Sequence, residues 1–186
     1  MLMNWSKTVY LTGSLAAFVA IAPASAAKFD FGSTPTAAEI SAIDIDAMPD
    51  GRGLPAGSGT PAKGAKVYAE KCIACHGDKL QGVGAAGGAA LIGGRGSIGT
   101  PKTKKTVESY WPYASTLFDY VKRAMPFNEP GSLSNDEIYA VSAYVLSKAK
   151  IIGDKDVMNA KTLPKVDMPN KDGFISDPRP DIFNYR

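Results

Sequence analysis

Residues 72–76 of this 186-residue chain are Cys72-Ile73-Ala74-Cys75-His76. The chain holds two cysteines and one histidine, and all three lie within these five positions. No cysteine remains for a disulfide framework. No second histidine is available for a His-rich zinc or copper site or for a Ser-His-Asp triad. The sequence therefore concentrates its metal-binding and thiol chemistry at one place.

The C-x-x-C-H spacing is typical of covalent haem attachment. Two thiols three positions apart near a helix end can each add to one vinyl group of a haem, and the adjacent imidazole then reaches the iron. A thioredoxin-like dithiol would need a preceding strand in a β/α context, and a zinc site would need further cysteine or histidine ligands. The sequence supplies neither, so we predict one covalently bound haem c with His76 as an axial ligand.

The second axial ligand cannot be histidine, and methionine is a common alternative in cytochromes c. Met125 lies at the end of a predicted helix, far enough from His76 for the chain to pass round the haem and return. We predict Met125 as the second ligand. The alternative is that Met125 is a core residue and that the iron has a lysine ligand or an open position. The other methionines after residue 26 are Met48, Met158 and Met168.

Three stretches combine helix-starting residues with apolar residues at helical spacing. No stretch shows the alternation expected of a sheet, so the predicted fold is all-α. The first predicted helix is Ala62–Lys71, which begins near the cap Thr60 with Pro61 at the first helical position. The second follows Ser115 or Thr116 as its cap and ends before Pro126, and the third follows Ser134, with a capping box to Glu137.

The chain divides into four predicted parts: a signal peptide (1–26), an N-terminal extension (27–59), a haem domain (60–150) and a C-terminal extension (151–186). Lys7, the apolar stretch Thr8–Ala22 and Ala24-Ser25-Ala26 form the secretory pattern. The alternative is a retained anchor, but the apolar run is shorter than the ~20 residues of a spanning helix. We therefore expect a periplasmic protein without a stable membrane anchor.

Charge is unevenly distributed. Residues 28–50 carry one lysine against five acidic residues, whereas residues 60–150 carry twelve basic and seven acidic residues. No basic patch with interleaved aromatic residues is present, so nucleic acid is not an expected partner. The lysines at 102, 104 and 105 form either a solvated loop or a docking site. Apolar residues in both extensions predict that the extensions pack over the haem domain or form part of a partner surface.

Three further residues are candidates for the haem pocket. Trp111 and Tyr113 belong to an aromatic cluster, and such rings either form a haem wall that bonds a propionate or pack in the core. Arg95 either pairs with a propionate through its planar fork or lies in an exposed loop.

The chain resembles small monohaem cytochromes c over residues 60–150. Gly64, Tyr68, the 72–76 motif, Met125-Pro126 and Tyr144 carry the resemblance. It implies a cytochrome c fold in which the N- and C-terminal helices cross, with Gly64 and Tyr68 against Tyr144. Members of the family often have a proline after the motif whose carbonyl accepts from the histidine Nδ1–H. Residues 78–94 contain no proline, so a different carbonyl must orient His76.

Four further segments resemble cytochromes of bacterial sulfur oxidation. These cytochromes are the haem subunits or electron acceptors of periplasmic molybdenum sulfite dehydrogenases, and the cytochrome subunit of sulfane dehydrogenase. The latter usually has two haems, so the single haem motif favours the sulfite dehydrogenase partner. The segments are Asp50–Thr60, Lys105–Ala114, Arg123–Phe127 and Met168–Phe174.

The resemblance implies an electron carrier that is not itself an enzyme. It would take single electrons from a molybdenum sulfite dehydrogenase and pass them to a downstream cytochrome or oxidase. One alternative is a carrier for another periplasmic dehydrogenase. A second is a haem enzyme of sulfur oxidation, such as a thiosulfate dehydrogenase, which would need an open or cysteine-ligated iron.

Overall fold

The computed structural model of the chain describes residues 32–177. The predicted signal peptide lies outside this range, as do the apolar residues Phe29, Phe31, Ile182, Phe183 and Tyr185. Within the described range the predicted all-α fold is confirmed. The helices are α1 (Ala37–Ile43), α2 (Pro61–Lys71), α3 (Ile73–His76), α4 (Ala114–Ala124) and α5 (Asn135–Lys148), with 3-10 turns at Gly84–Ala86 and Leu163–Lys165.

The crossing of α2 and α5 organises the core. Gly64 allows the close approach, because a Cβ at this position would collide with the backbone carbonyl of Ala140. One turn further along α2, the rings of Tyr68 and Tyr144 lie with their centroids 5.1 Å apart. The expected packing of Gly64 and Tyr68 against Tyr144 is therefore confirmed.

Local capping explains where α2 and α5 begin. The Thr60 hydroxyl accepts from the Lys63 amide at 3.4 Å, and Pro61 opens α2. Ser134 and Glu137 form the predicted capping box, in which the Glu137 carboxylate accepts from the Ser134 amide at 2.8 Å. Both bonds satisfy amides that a helix start leaves without an internal partner.

The predicted start of α4 is wrong. The helix begins at Ala114, and Tyr113 occupies the N-cap position without a side-chain capping bond. Ser115, one of the two predicted caps, is fully buried in the first turn. Its neighbours Leu117 and Phe118 are also buried. Packing of this turn into the core thus determines the start of α4, rather than a polar cap.

Parts of both extensions pack on residues 60–150, beginning at Ala47 on the N-terminal side. Ser58–Gly59 (β1) and Met158–Asn159 (β2) pair in an antiparallel arrangement. The strands have two residues each, too few to show an alternating pattern in the sequence. Ala47 from the N-terminal side, and Leu163 and Met168 from the C-terminal side, are buried in the same core.

None of the helices among residues 32–177 has the length and apolar character needed to cross a membrane.

Gly64→Ala tests the helix crossing. Replacing glycine by alanine in an open helix stabilises it by about 1 kcal/mol. Here the new methyl group meets the Ala140 backbone, so we expect a loss of about 1–3 kcal/mol in the free energy of unfolding. Urea unfolding of the haem-loaded protein measures the change. The control is Ala69→Gly at an exposed position of α2, which should lose about 1 kcal/mol through helix propensity alone. A Gly64→Ala protein more stable than wild type would contradict the crossing.

Candidate haem site

A cavity of about 690 Å³ opens beside α3 and α4. Its volume lies within the range of about 300–1,000 Å³ that is usual for cofactor pockets. Cys72, Cys75, His76, Met125 and Trp111 all line it. The structure thus brings five of the seven predicted site residues to one cavity, from separate parts of the chain.

The backbone presents the motif as a short helical turn. α2 ends at Lys71, Cys72 caps both α2 and α3, and α3 carries the motif from Ile73 to His76. The His76 amide donates to the Cys72 carbonyl at 2.9 Å. This turn places both sulfurs and the imidazole along the same cavity.

His76 is oriented by the carbonyl of Ala89. The Nδ1 atom lies 2.7 Å from the Ala89 oxygen. Because a carbonyl oxygen only accepts, Nδ1 carries the proton and Nε2 keeps its lone pair for a metal. Such a bond fixes the tautomer and raises the basicity of a ligating histidine. Ala89 therefore supplies the carbonyl that the sequence left unassigned in the absence of a proline.

The glycine-rich segment after the motif folds back onto it. The Val83 amide donates to the Cys75 carbonyl at 2.9 Å, and Val83 and Gly88 form an isolated antiparallel bridge. A Cβ at Gly88 would collide with that same Cys75 carbonyl. Glycine at 88 thus permits the close approach that places the next residue, Ala89, on the imidazole.

Cys72 and Cys75 form no disulfide. Burial, with a smaller effect of the neighbouring Cys75, raises the pKa of Cys72 to about 11. A dithiol that exchanges disulfides needs a lowered thiol pKa, so the surroundings of Cys72 do not suit thioredoxin-like chemistry. Among the described residues, no group of three or more His, Cys, Asp or Glu side chains could hold a metal ion.

Met125 lies at the C-cap of α4, where its amide donates to the Val121 carbonyl at 3.2 Å. It lines the cavity from an element other than the one that carries His76. Met158 and Met168 are buried in the core, and Met48 is exposed. None of these three lines the cavity, so within residues 32–177 Met125 is the methionine available to a bound group.

Of the other three predicted site residues, Trp111 lies at the cavity, whereas Tyr113 and Arg95 do not. Trp111 lines the cavity and makes an edge contact with Tyr120, whose ring centroid is 5.7 Å away. Tyr113 is 44% exposed and is not part of the lining. Arg95 is also outside the lining. Its guanidinium donates to Glu108 at 3.0 Å and to the carbonyl of Ala149 at 2.7 Å. The structure therefore does not bring Tyr113 or Arg95 to the cavity.

Several lining residues were not predicted from the sequence as part of the site. The buried Tyr68 hydroxyl donates to the Gly77 carbonyl at 2.7 Å, and burial raises its pKa. This bond ties α2 to the residue that follows the motif. The helical periodicity of α4 predicted an apolar face but could not show that it forms a cavity wall. The remaining apolar wall includes Leu91, Val107, Leu117, Val121, Leu133 and Val141.

The residues present fit a haem c. Two thiols, an imidazole with a free Nε2 and a thioether reach one largely apolar cavity of suitable volume. Apolar walls exclude water and are one of the means by which a protein sets the potential of a haem.

Comparisons with known proteins agree with this geometry. A family model described as cytochrome c matches residues 61–149. A chain in the crystal structure of the sulfane dehydrogenase SoxCD from Paracoccus pantotrophus matches with 40% sequence identity and a TM-score of 0.74. The match covers 85% of this chain and 76% of the matched chain. A thiosulfate dehydrogenase from Stutzerimonas stutzeri (strain A1501) is 34% identical over 95 residues, which are 50% of this chain. The match spans 29% of that curated relative.

Gly88→Ala tests how the site is built. The added methyl group would displace the Cys75 backbone or the Ala89 carbonyl. We expect a loss of about 1–3 kcal/mol in the free energy of unfolding and fewer haems attached per chain, measured from absorbance and free-thiol content. Gly84→Ala is the matched control, because nothing lies within 4 Å of a Cβ there. Equal haem content and stability in the two variants would contradict the role of Gly88.

Proposed function

Because the chain belongs to the cytochrome c family, we propose that it carries single electrons from a dehydrogenase of bacterial sulfur oxidation towards a downstream cytochrome or oxidase. The main support is the convergence of His76 and Met125 on one cavity from two different elements. These two side chains would ligate the iron of a bound haem, which would then have no open position for a substrate.

Bound haem c supplies a one-electron couple between ferric and ferrous iron. The chain's own residues hold and insulate that couple. Cys72 and Cys75 would anchor the group covalently, the Ala89 carbonyl would keep His76 in one tautomer, and the apolar wall would exclude water. Trp111 contributes an aromatic surface to this wall.

We propose a molybdenum sulfite dehydrogenase as the electron donor. Sulfite oxidation releases two electrons, and a chain with one haem motif accepts one at a time, so each turnover requires two transfers. Complexes of this kind often have small, transient interfaces. The resemblance of residues 50–60 and 105–114 to the cytochromes of such enzymes supports this donor.

A sulfane dehydrogenase is a second candidate donor. The 40% identity to the SoxCD structure, over 85% of this chain, favours it. The single C-x-x-C-H motif favours the sulfite enzyme. A third candidate is that the chain is itself part of an enzyme, since one relative is named a thiosulfate dehydrogenase. Rapid carbon monoxide binding by the ferrous protein would favour an open iron and hence this third candidate.

We further propose that residues 1–26 direct secretion to the periplasm and that residues 60–150 form the haem domain between two extensions. Mass spectrometry of the mature N-terminus tests the first point. A mature chain beginning at Ala27 supports secretion, and an intact Met1 in the membrane fraction contradicts it.

Met125→Ala tests the second axial ligand. Loss of the thioether should abolish the thioether-to-iron charge-transfer band at the red end of the ferric spectrum and should permit carbon monoxide binding. Met48→Ala is the matched control, because Met48 is exposed and outside the cavity lining. The charge-transfer band of the Met48→Ala protein should be unchanged. Persistence of the band in Met125→Ala would refute the assignment.

Stopped-flow reduction tests the donor. The ferric protein is mixed with purified sulfite dehydrogenase, sulfane dehydrogenase or an alcohol dehydrogenase, each with its substrate. We expect fast reduction with the sulfite-oxidising enzyme. Fast reduction with the sulfane enzyme alone would select the second donor, and reduction by neither sulfur enzyme would contradict a role in sulfur oxidation.

A further inference from the structure

Helix α1 is well capped but buries none of its residues. At its start, Thr36 and Glu39 form a capping box in which the Thr36 amide donates to the Glu39 carboxylate at 2.7 Å. At its end, the Asp44 amide donates to the Ile40 carbonyl at 2.8 Å. Ile40 is 47% exposed and Ile43 is 80% exposed. Residues at positions i and i+3 share one helix face, so these isoleucines form an apolar strip.

A seven-residue helix has little stability of its own in water. Isolated helices shorter than about 12–15 residues are marginal, and most helices depend on burial of an apolar face. The capping box favours helix at this position, yet within residues 32–177 no residue of α1 is buried against the rest of the protein. The local sequence thus favours a short helix whose exposed apolar strip, Ile40 and Ile43, can contact a second molecule.

Residues 36–47, which we call the arm, are fixed to α4 at their C-terminal end. The Ala47 amide donates to the Asp119 carboxylate at 2.9 Å, and Ala47 is buried. Arg123 forms an ion pair with Asp119, and its guanidinium also lies 3.8 Å from Asp46. Although burial opposes it, the bonds from Arg123 and Ala47 hold the pKa of Asp119 below its usual value. Tyr120, the next residue on α4, lines the cavity. A molecule that binds the arm is therefore held close to the haem site.

Charge indicates the kind of surface that would receive the arm. Residues 28–50 carry one lysine against five acidic residues, whereas residues 60–150 carry twelve basic and seven acidic residues. The acidic side chains nearest the strip are Glu39 and Asp44. An apolar groove bordered by lysine or arginine complements both properties.

The share of the chain covered by the structural match favours a dehydrogenase as the protein that carries this groove. The cytochrome c model ends at the borders of the haem domain, 61–149. The match to the sulfane dehydrogenase structure covers 85% of the chain, more than the haem domain and all later residues can account for. Some residues before 61 are therefore part of the structural match to a chain of the sulfane dehydrogenase structure.

We propose that α1 is a docking helix that inserts Ile40 and Ile43 into an apolar, basic-rimmed groove on the electron-donating dehydrogenase. This inference rests on the proposed function. Docking of the arm keeps the haem domain at a high effective concentration beside its donor. The two transfers that each turnover requires then proceed without a new diffusional search for every electron.

The test compares two double variants of the haem-loaded protein. Ile40→Ala with Ile43→Ala removes the strip, while alanine preserves helix propensity. Phe174→Ala with Ile175→Ala is the matched control, since these residues are 50% and 92% exposed in the other extension. Affinity for purified molybdenum sulfite dehydrogenase lacking its own cytochrome is measured by calorimetry, and electron transfer is measured separately at saturating enzyme.

We expect the α1 variant to bind at least about tenfold more weakly and the control variant to bind like wild type. The haem spectrum and the rate at saturating enzyme should be unchanged in both. Wild-type affinity should fall as salt rises, because the rim contacts are charged. In hydrogen exchange, the α1 amides should gain protection on binding.

The two proposals fail in distinguishable ways. Equal affinity of the α1 variant and wild type, with fast reduction of both, overturns the docking helix and leaves the electron carrier intact. Binding that depends on α1 without reduction of the haem overturns the carrier role and leaves the docking helix intact. Absence of both wild-type binding and haem reduction overturns the docking helix and the sulfite dehydrogenase as donor.

Discussion

The spacing of Cys72, Cys75 and His76 is the constraint on which the rest of the structure depends. In the proposed haem site, two thioether links and one bond to the iron would have to reach a single flat group from one turn of chain. Such an arrangement needs a helix that positions the motif turn, an imidazole of fixed orientation, and a second ligand from another part of the chain. α2 delivers the turn, and the Ala89 carbonyl fixes the imidazole with a 2.7 Å contact to Nδ1.

Two close approaches near this turn depend on glycine. Gly88 lets the following loop lie against Cys75, and Gly64 lets α2 lie against α5. The first contact positions the histidine, and the second holds the helix from which the motif projects. α4 then closes the cavity with Leu117 and Val121 and ends at Met125. The extensions complete the core through Met158, Leu163 and Met168, which explains why these methionines are not available to the cavity.

Local signals in the sequence predicted the parts of the fold that local physics controls. Thr60, Pro61 and the Ser134–Glu137 box predicted the starts of α2 and α5 because capping bonds join neighbouring residues. The start of α4 could not be predicted in this way, since burial of Ser115 depends on distant packing. The role of Ala89 was equally hidden, because any backbone carbonyl can accept a bond and only the fold selects one. Arg95 was ambiguous for the same reason. Its partners, Glu108 and the Ala149 carbonyl, lie far away in the chain.

The central claim is that one haem is held between His76 and Met125 as a closed one-electron centre. Proton NMR of the ferrous protein, with methyl-labelled methionine, measures this directly, because a methyl group bound over the face of a haem experiences its ring current. We expect one methionine methyl resonance, that of Met125, to be shifted far upfield, with the methyl groups of Met48, Met158 and Met168 in the ordinary range. An ordinary shift for Met125, or an upfield shift for one of the other three, would contradict it.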